Sequence, residues 1–243
     1  MSTTLLYIFA FCSGVAALIY QVAWSRILSM TFGSSTLAVS AVVAGFMGGM
    51  GIGAWLYHRV GDRARHATRA YGLLEIGIAL ATALFTPLYL QLPHFFAGMA
   101  AWVPTGGPMG AFRIAVAFGL LLIPSTLMGA TYPALCKVML HTADDVDRRL
   151  GWIYGLNTVG AAVGAVAAGF VLIEFLGSTR AVTAANAINL AVGVGALLLA
   201  RSEAGSAGVT AVAEVDEPLP SALPLLRLPS NSSPVSHKWS SDR

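Results

Sequence analysis

The sequence predicts an all-α membrane protein: six transmembrane helices, then a disordered C-terminal tail. Three observations carry that expectation. Hydrophobic residues make up 56% of the 243-residue chain and charged residues 10%, against roughly 25% charged in a soluble domain. The apolar residues fall into six runs, each near the about 20 residues that a helix needs to cross a hydrocarbon core. Basic residues gather in alternate loops, the bias that orients polytopic proteins.

The first run covers residues 4–23. MSTT offers no basic side chain ahead of it and no A-x-A-like site follows, so it reads as a retained helix rather than a signal peptide. The second run covers 34–57, the third 70–91, the fourth 111–139, the fifth 152–175 and the sixth 180–200. Helices are required because lipid offers backbone N–H and C=O groups no partners. The stretch 92–110, with its prolines and aromatics, reads as an outer loop carrying a short interfacial helix. Residues 1–201 thus form the membrane domain. Residues 202–243 are Ala/Gly/Ser-rich, then Pro/Ser-rich; such a segment buries too little apolar surface to offset its ordering entropy.

Orientation follows from the loops. Arg59, Arg63, Arg65, Arg69, Lys137, Arg148, Arg149 and Arg201 lie on one side of the bundle; Arg26, Arg113 and Arg180 lie on the other. Eight against three places both termini in the cytoplasm. In the loop HRVGDRARHATR, Asp62 and Arg63 make a candidate charge network. Asp144, Asp145 and Asp147 beside Arg148 and Arg149 read as a solvated loop.

That orientation puts LIYQVAWSRIL at the outer end of the first run. Tyr20 and Trp24 lie one turn apart on a shared face. Two readings stand: an aromatic belt at the headgroup boundary with Arg26 snorkelling to phosphates, or a functional cluster that includes Gln21. Glu75, in GLLEIGIAL, is an ionisable group inside a span, where a central charge costs about 2.5–3.5 kcal/mol. It is either a cation or proton site or an ion pair with Arg69 or the arginines of the preceding loop that locks the second and third spans to that loop. Glu174 has Arg26 and Arg180 as candidate partners. Asn157, Asn186 and Asn189 are expected to hydrogen-bond between helices. Tyr20, Gln21, Trp24, Arg26, Glu75, Tyr154 and Asn157 are therefore the candidate transport or packing sites.

Gly45, Gly49 and Gly53 recur every four residues in the second span, and Gly151, Gly155, Gly160, Gly164 and Ala168 repeat the device in the fifth. Small residues let helix backbones approach closely. AVVAGF at 41–46 and AVAAGF at 165–170 fall in spans that correspond if the chain is two inverted three-helix repeats, a transporter pattern. Pro124, Gly129 and Pro133 interrupt the fourth span, with Ser125, Thr126 and Thr131 at hand to satisfy freed carbonyls.

Other classes find no support. There is no basic stripe with interleaved aromatics for nucleic acid, no Gly-rich phosphate loop, no G-x-S-x-G and no zinc spacing. Cys12 and Cys136 read as small buried hydrophobes. No cofactor and no metal are expected.

The stretches LIYQVAWSRILSMTFGSS, AVSAVVAGFMGGMGIGAWLYHRVGDR, YGLLEIGIAL, LIPSTLMGATYPAL and GWIYGLNTVGAAVGAVAAGFVLI resemble the membrane half of bacterial fused spermidine synthase-like proteins. The resemblance covers residues 5–200. It implies a region similar to half of a major facilitator transporter, joined to a soluble aminopropyltransferase-like domain. GDRAR is similar to the major facilitator loop between spans two and three, but His58 stands where a glycine is expected four positions before Asp62. The acidic residues that bind polyamine in such enzymes have no matching position, so no catalytic residue carries over. Two functions follow as expectations: a transport-type module for a small, polyamine-related cation, which as a six-helix half would form a homodimer, or an anchor for a separately encoded aminopropyltransferase. Lipid is the expected environment, and nucleic acid is not an expected partner.

Overall fold

The computed structural model describes residues 3–32, 36–61, 66–99, 107–140 and 146–215. Asp62 and Arg63 lie outside them, as does the tail after Val215. Seven helices follow in order: α1 (Thr3–Phe32), α2 (Thr36–Val60), α3 (Ala67–Met99), α4 (Gly107–Leu140), α5 (Val146–Ala167), α6 (Ile173–Leu176) and α7 (Ser178–Val215). A π-helical turn, Ala168–Leu172, joins α5 to α6, so these form one continuous fifth span. Gly177 then turns the chain into α7 with φ of 80°, a left-handed conformation that glycine adopts without a Cβ penalty. Among the described residues, six helical segments are long and apolar enough to cross a membrane.

Several elements run further than the apolar periodicity indicates. α1 continues to Phe32, which places Tyr20 to Arg26 inside the helix and not at its end. α3 runs through Pro87 and Pro93 to Met99, so much of the expected outer loop is helix. α4 is also unbroken, with Pro124 and Pro133 inside it. Pro124 removes the N–H that would bond the Leu120 carbonyl one turn back. The Tyr89 hydroxyl on α3 donates to that carbonyl at 3.0 Å. Ser125 and Thr131 instead donate to Leu121 and Met128 of their own helix, at 2.6 and 2.7 Å. A neighbouring helix thus repairs the ladder, and the span stays continuous. α7 runs past Arg201 to Val215. Residues Met1–Ala204 form one compact unit and Gly205–Arg243 a second.

Glycine decides which helices pair. Extensive contacts join α2 to α4 and α1 to α5. A Cβ at Gly49 would collide with Ser125, one at Gly53 with the Thr126 carbonyl, and one at Gly45 would press on Phe118 at 3.2 Å. On the other pair, a Cβ at Gly160 or Gly164 would strike the carbonyls of Phe11 or Val15, and one at Gly14 would strike that of Asn157. Gly151 and Gly155 have open space around them, so only part of the fifth-span glycine series packs. Exchanging the first three spans with the last three turns the α2–α4 pair into the α5–α1 pair. The two similar hexamers differ in their contacts: a Cβ at Gly45 would meet α4, whereas one at Gly169 would meet nothing within 4 Å. α3 and α7 approach at Gly72 and Gly193, where a Cβ on the first would sit 2.8 Å from the carbonyl of the second.

Two apolar clusters fill the interior. One gathers Trp24, Tyr20, Leu28, Ile78, Tyr89, Phe96 and Leu121. The other gathers Leu6, Phe9, Tyr71, Leu135, Met139 and Ile153. Ser13, Glu75, Thr131, Asn157 and Asn189 fall between these sets along their own helices, so a polar layer separates two apolar ones.

Candidate functional site

The polar layer borders a cavity of about 470 Å³. Ser13, Gly14, Ala17, Met128, Thr131, Tyr132, Tyr154, Asn157 and Asn189 are among its walls. Four spans, α1, α4, α5 and α7, contribute to that set because each carries a small or polar residue at the same depth. Gly14 and Gly129 admit close helix contact, while the hydroxyls and amides keep the space from being wholly apolar. Met50 and Gly51 of α2, with Tyr154 and Thr158 of α5, line the cavity and are also exposed, so it opens between those two helices.

Glu75 stands behind this wall. It is fully buried, and the Ser13 hydroxyl donates to its Oε1 at 2.7 Å. Its Oε2 has no hydrogen-bond partner. Below it, the Tyr71 hydroxyl donates to the Phe9 carbonyl at 3.5 Å. Among the described residues no ion pair reaches Glu75: Arg69 lies exposed near the start of the same helix and does not pair with it, while Arg63 and Arg65 lie outside the described residues. The reason is register, since six residues separate the two and place them on different faces. Asn189 Oδ1 is likewise buried without a partner.

A second polar cluster lies deeper in the first apolar layer. Tyr20 donates to Asn186 Oδ1 at 2.8 Å, and Thr82 donates to the same oxygen. Thr82 stands seven residues after Glu75, and Tyr20 seven after Ser13, so each pair shares a helix face about 10 Å apart. The Tyr20 ring stacks on Trp24 with centroids 5.3 Å apart, and Trp24 meets Tyr89 at 5.9 Å. Tyr20 and Trp24 are both 0% exposed. The aromatic-belt reading of this corner is therefore wrong. Because α1 and its neighbours extend further, these rings sit in the bundle core. Trp24 Nε1 has no hydrogen-bond partner.

The predicted residues thus separate into groups. Tyr154 and Asn157 line the cavity and Glu75 abuts it through Ser13; Tyr20 and Trp24 belong to the second cluster. Gln21 is half-buried and Arg26 exposed, and neither reaches the cavity. Tyr154 meets Tyr132 edge-on at 6.1 Å. Glu174, Arg26 and Arg180 are exposed and form no ion pair with one another. Gly45, Gly49, Gly53, Gly160 and Gly164 all serve helix packing. Cys12 and Cys136 are free thiols, half-buried. Ser13 and Thr82 escaped sequence reading because single hydroxyls in apolar spans are common; the heptad spacing to Tyr20 and Glu75 was the available signal.

At the arginine-rich end, Lys137 Nζ donates to the Gly61 carbonyl at 2.7 Å, tying α4 to the close of α2. Arg149 donates to Thr3 Oγ1 at 2.9 Å, tying α5 to the start of α1.

Fold and interior together define a multi-pass helical membrane protein with a polar layer within its bundle. Its sequence is similar to polyamine aminopropyltransferase 2 of Streptomyces coelicolor: 27% identical over 191 residues, which are 77% of this chain and 32% of that protein. The chain spans about a third of the length of that relative. No family model matches the chain, and no solved structure does.

Proposed function

We propose that this chain is a transport-type module of the bacterial inner membrane that admits a small cation related to polyamines. The cavity in the polar layer carries the reading. A space of about 470 Å³, bounded by hydroxyls and amides and backed by a buried carboxyl, suits a short cation with amine donors. The carboxyl supplies the charge, and Asn157, Asn189 and Thr131 supply acceptors along the way. The name of the Streptomyces relative contributes the polyamine class. Sites near the bilayer midplane at the junction of repeats are usual in transporters. In this reading the arginine-rich loops face the cytoplasm, and a second copy of the chain covers the opening between α2 and α5. Uptake of a radiolabelled diamine into vesicles reconstituted with the full chain tests the reading. Accumulation above protein-free vesicles that falls to background in Glu75→Gln supports it. Uptake equal to protein-free vesicles, or unchanged in the variant, rejects it.

A second reading is favoured by one observation: the match takes in most of this chain but only a third of the relative. Here the bundle anchors an aminopropyltransferase encoded separately, held at the arginine-rich end. Recovery of such an enzyme with the tagged chain from native membranes supports this reading; its absence from repeated cross-linked preparations rejects it.

A further inference from the structure

A second cavity, about 310 Å³, opens at the arginine-rich end between α3 and α7. Its walls are His66, just before α3, with Arg69 and Leu73 of α3, and Leu197, Ala200 and Arg201 of α7. Each wall is a single helix face, with positions three and four apart. The two walls mirror each other. Arg69 stands four residues before Leu73 and Arg201 four after Leu197, so each helix offers a guanidinium at the rim and a leucine one turn deeper. Next to the cavity the helices approach closely at Gly72 and Gly193, where a Cβ on Gly72 would lie 3.1 and 3.2 Å from the Leu197 and Ala196 side chains. Beyond that contact the helices part and the cavity opens.

The electrostatics of this cavity are unbalanced. Two guanidiniums and an imidazole face one space, and among the described residues no carboxylate is in its walls. The α3 N-terminus adds the positive end of a helix dipole, and the Ala70 N–H there donates to the His66 carbonyl at 3.1 Å. Like charges brought together without a counter-charge destabilise the fold, and an anion between them relieves the repulsion. A free inorganic anion needs only the rim. The leucines one turn deeper add an apolar surface that such an ion cannot use, whereas a phospholipid fills both. Basic pockets between spans are recognised sites for anionic headgroups.

We propose that the cavity between α3 and α7 binds the phosphate headgroup of an anionic phospholipid. Arg69 and Arg201 clamp the phosphate, and Leu73 and Leu197 receive the start of an acyl chain. This site is separate from the mid-bundle cavity and does not depend on what that cavity carries.

The test uses the purified full chain in neutral detergent, with phosphatidylglycerol, phosphatidylcholine or inorganic phosphate added. Native mass spectrometry counts bound lipid, and thermal unfolding reads stabilisation. Phosphatidylglycerol is expected to bind and raise the unfolding temperature, and phosphatidylcholine to do neither. Affinity for phosphatidylglycerol should fall about tenfold or more in R69Q/R201Q, by a smaller factor in R201Q alone, and not in R180Q at the opposite end. Equal binding of the two lipids, or wild-type affinity in R69Q/R201Q, would overturn the site. Displacement of phosphatidylglycerol by millimolar inorganic phosphate would overturn the lipid assignment and leave a site for a soluble anion. Should the double variant fail to fold, R201Q and the loss of wild-type binding in 0.5 M salt decide the matter.

Discussion

Ser13 on α1 donates to Glu75 on α3 at 2.7 Å, and this bond joins a hydroxyl in the cavity wall to the buried carboxyl behind it. A buried carboxyl with one oxygen bonded and the other without a partner is a costly thing to keep for packing alone. Three substitutions separate packing from charge. Glu75→Gln keeps the shape and an oxygen to accept from Ser13, so the folded bundle should persist while uptake of a diamine disappears. Ser13→Ala should lower stability by about 1 kcal/mol and leave part of the uptake. Glu75→Leu removes the buried polar group and should match or exceed wild-type stability. Denaturant unfolding in detergent, alongside vesicle uptake, reads both effects; a Glu75→Gln protein that transports normally would remove the carboxyl from the mechanism.

Neighbouring glycines on one helix should differ sharply. Gly49 and Gly53 have no room for a Cβ against α4, whereas Gly48 and Gly51 meet nothing within 4 Å. Gly49→Ala and Gly53→Ala should each cost about 1–3 kcal/mol through forced separation of α2 and α4. Gly48→Ala should be neutral or slightly stabilising. The same contrast is expected on α5, with Gly164→Ala harmful and Gly155→Ala tolerated. Unfolding midpoints of the three α2 variants suffice, and equal costs at Gly48 and Gly49 would contradict the pairing of α2 with α4.

Topology can be read with single thiols. With Cys12 and Cys136 replaced by alanine, a membrane-impermeant maleimide added to intact cells should label Arg180→Cys and spare Arg59→Cys and Arg148→Cys. Permeabilised cells should label all three. The arginine bias predicts that pattern, and labelling of Arg59→Cys in intact cells would invert the bundle.

The class of the protein and the number of its spans were legible because run length and charge scarcity are properties of segments, read without knowing any contact. The glycines at 45, 49, 53, 160 and 164 were legible for the same reason: a four-residue period is visible in one helix, and every one of these packs against a neighbour. What was lost depends on partners. Tyr20 and Trp24 look alike whether a helix ends beside them or runs on to Phe32, and only the surrounding helices decide between headgroups and core. Glu75 was picked out as an ionisable group, but its partner is a serine 62 positions away on another helix, and nothing local marks it. The prolines misled in the same way. Pro124 reads as a break when its helix is considered alone, and as a tolerated site once Tyr89 is seen beside it.

That last relationship can be measured. Pro124 leaves the Leu120 carbonyl without its usual donor, and the Tyr89 hydroxyl supplies one at 3.0 Å. Tyr89→Phe should therefore strand a carbonyl inside the bundle, at a cost of about 1–2 kcal/mol. Pro124→Ala restores a backbone N–H to the same oxygen, which then has two donors in place of one. In that background Tyr89→Phe should cost much less, because the carbonyl keeps its helical bond. The coupling between the two positions is expected at about 0.5–1.5 kcal/mol, within the range for residues that share one partner. A double-mutant cycle by unfolding in detergent gives it directly. Additive effects would mean that the Tyr89 hydroxyl does not serve the carbonyl that the proline leaves free, and the continuity of α4 through Pro124 would need another source.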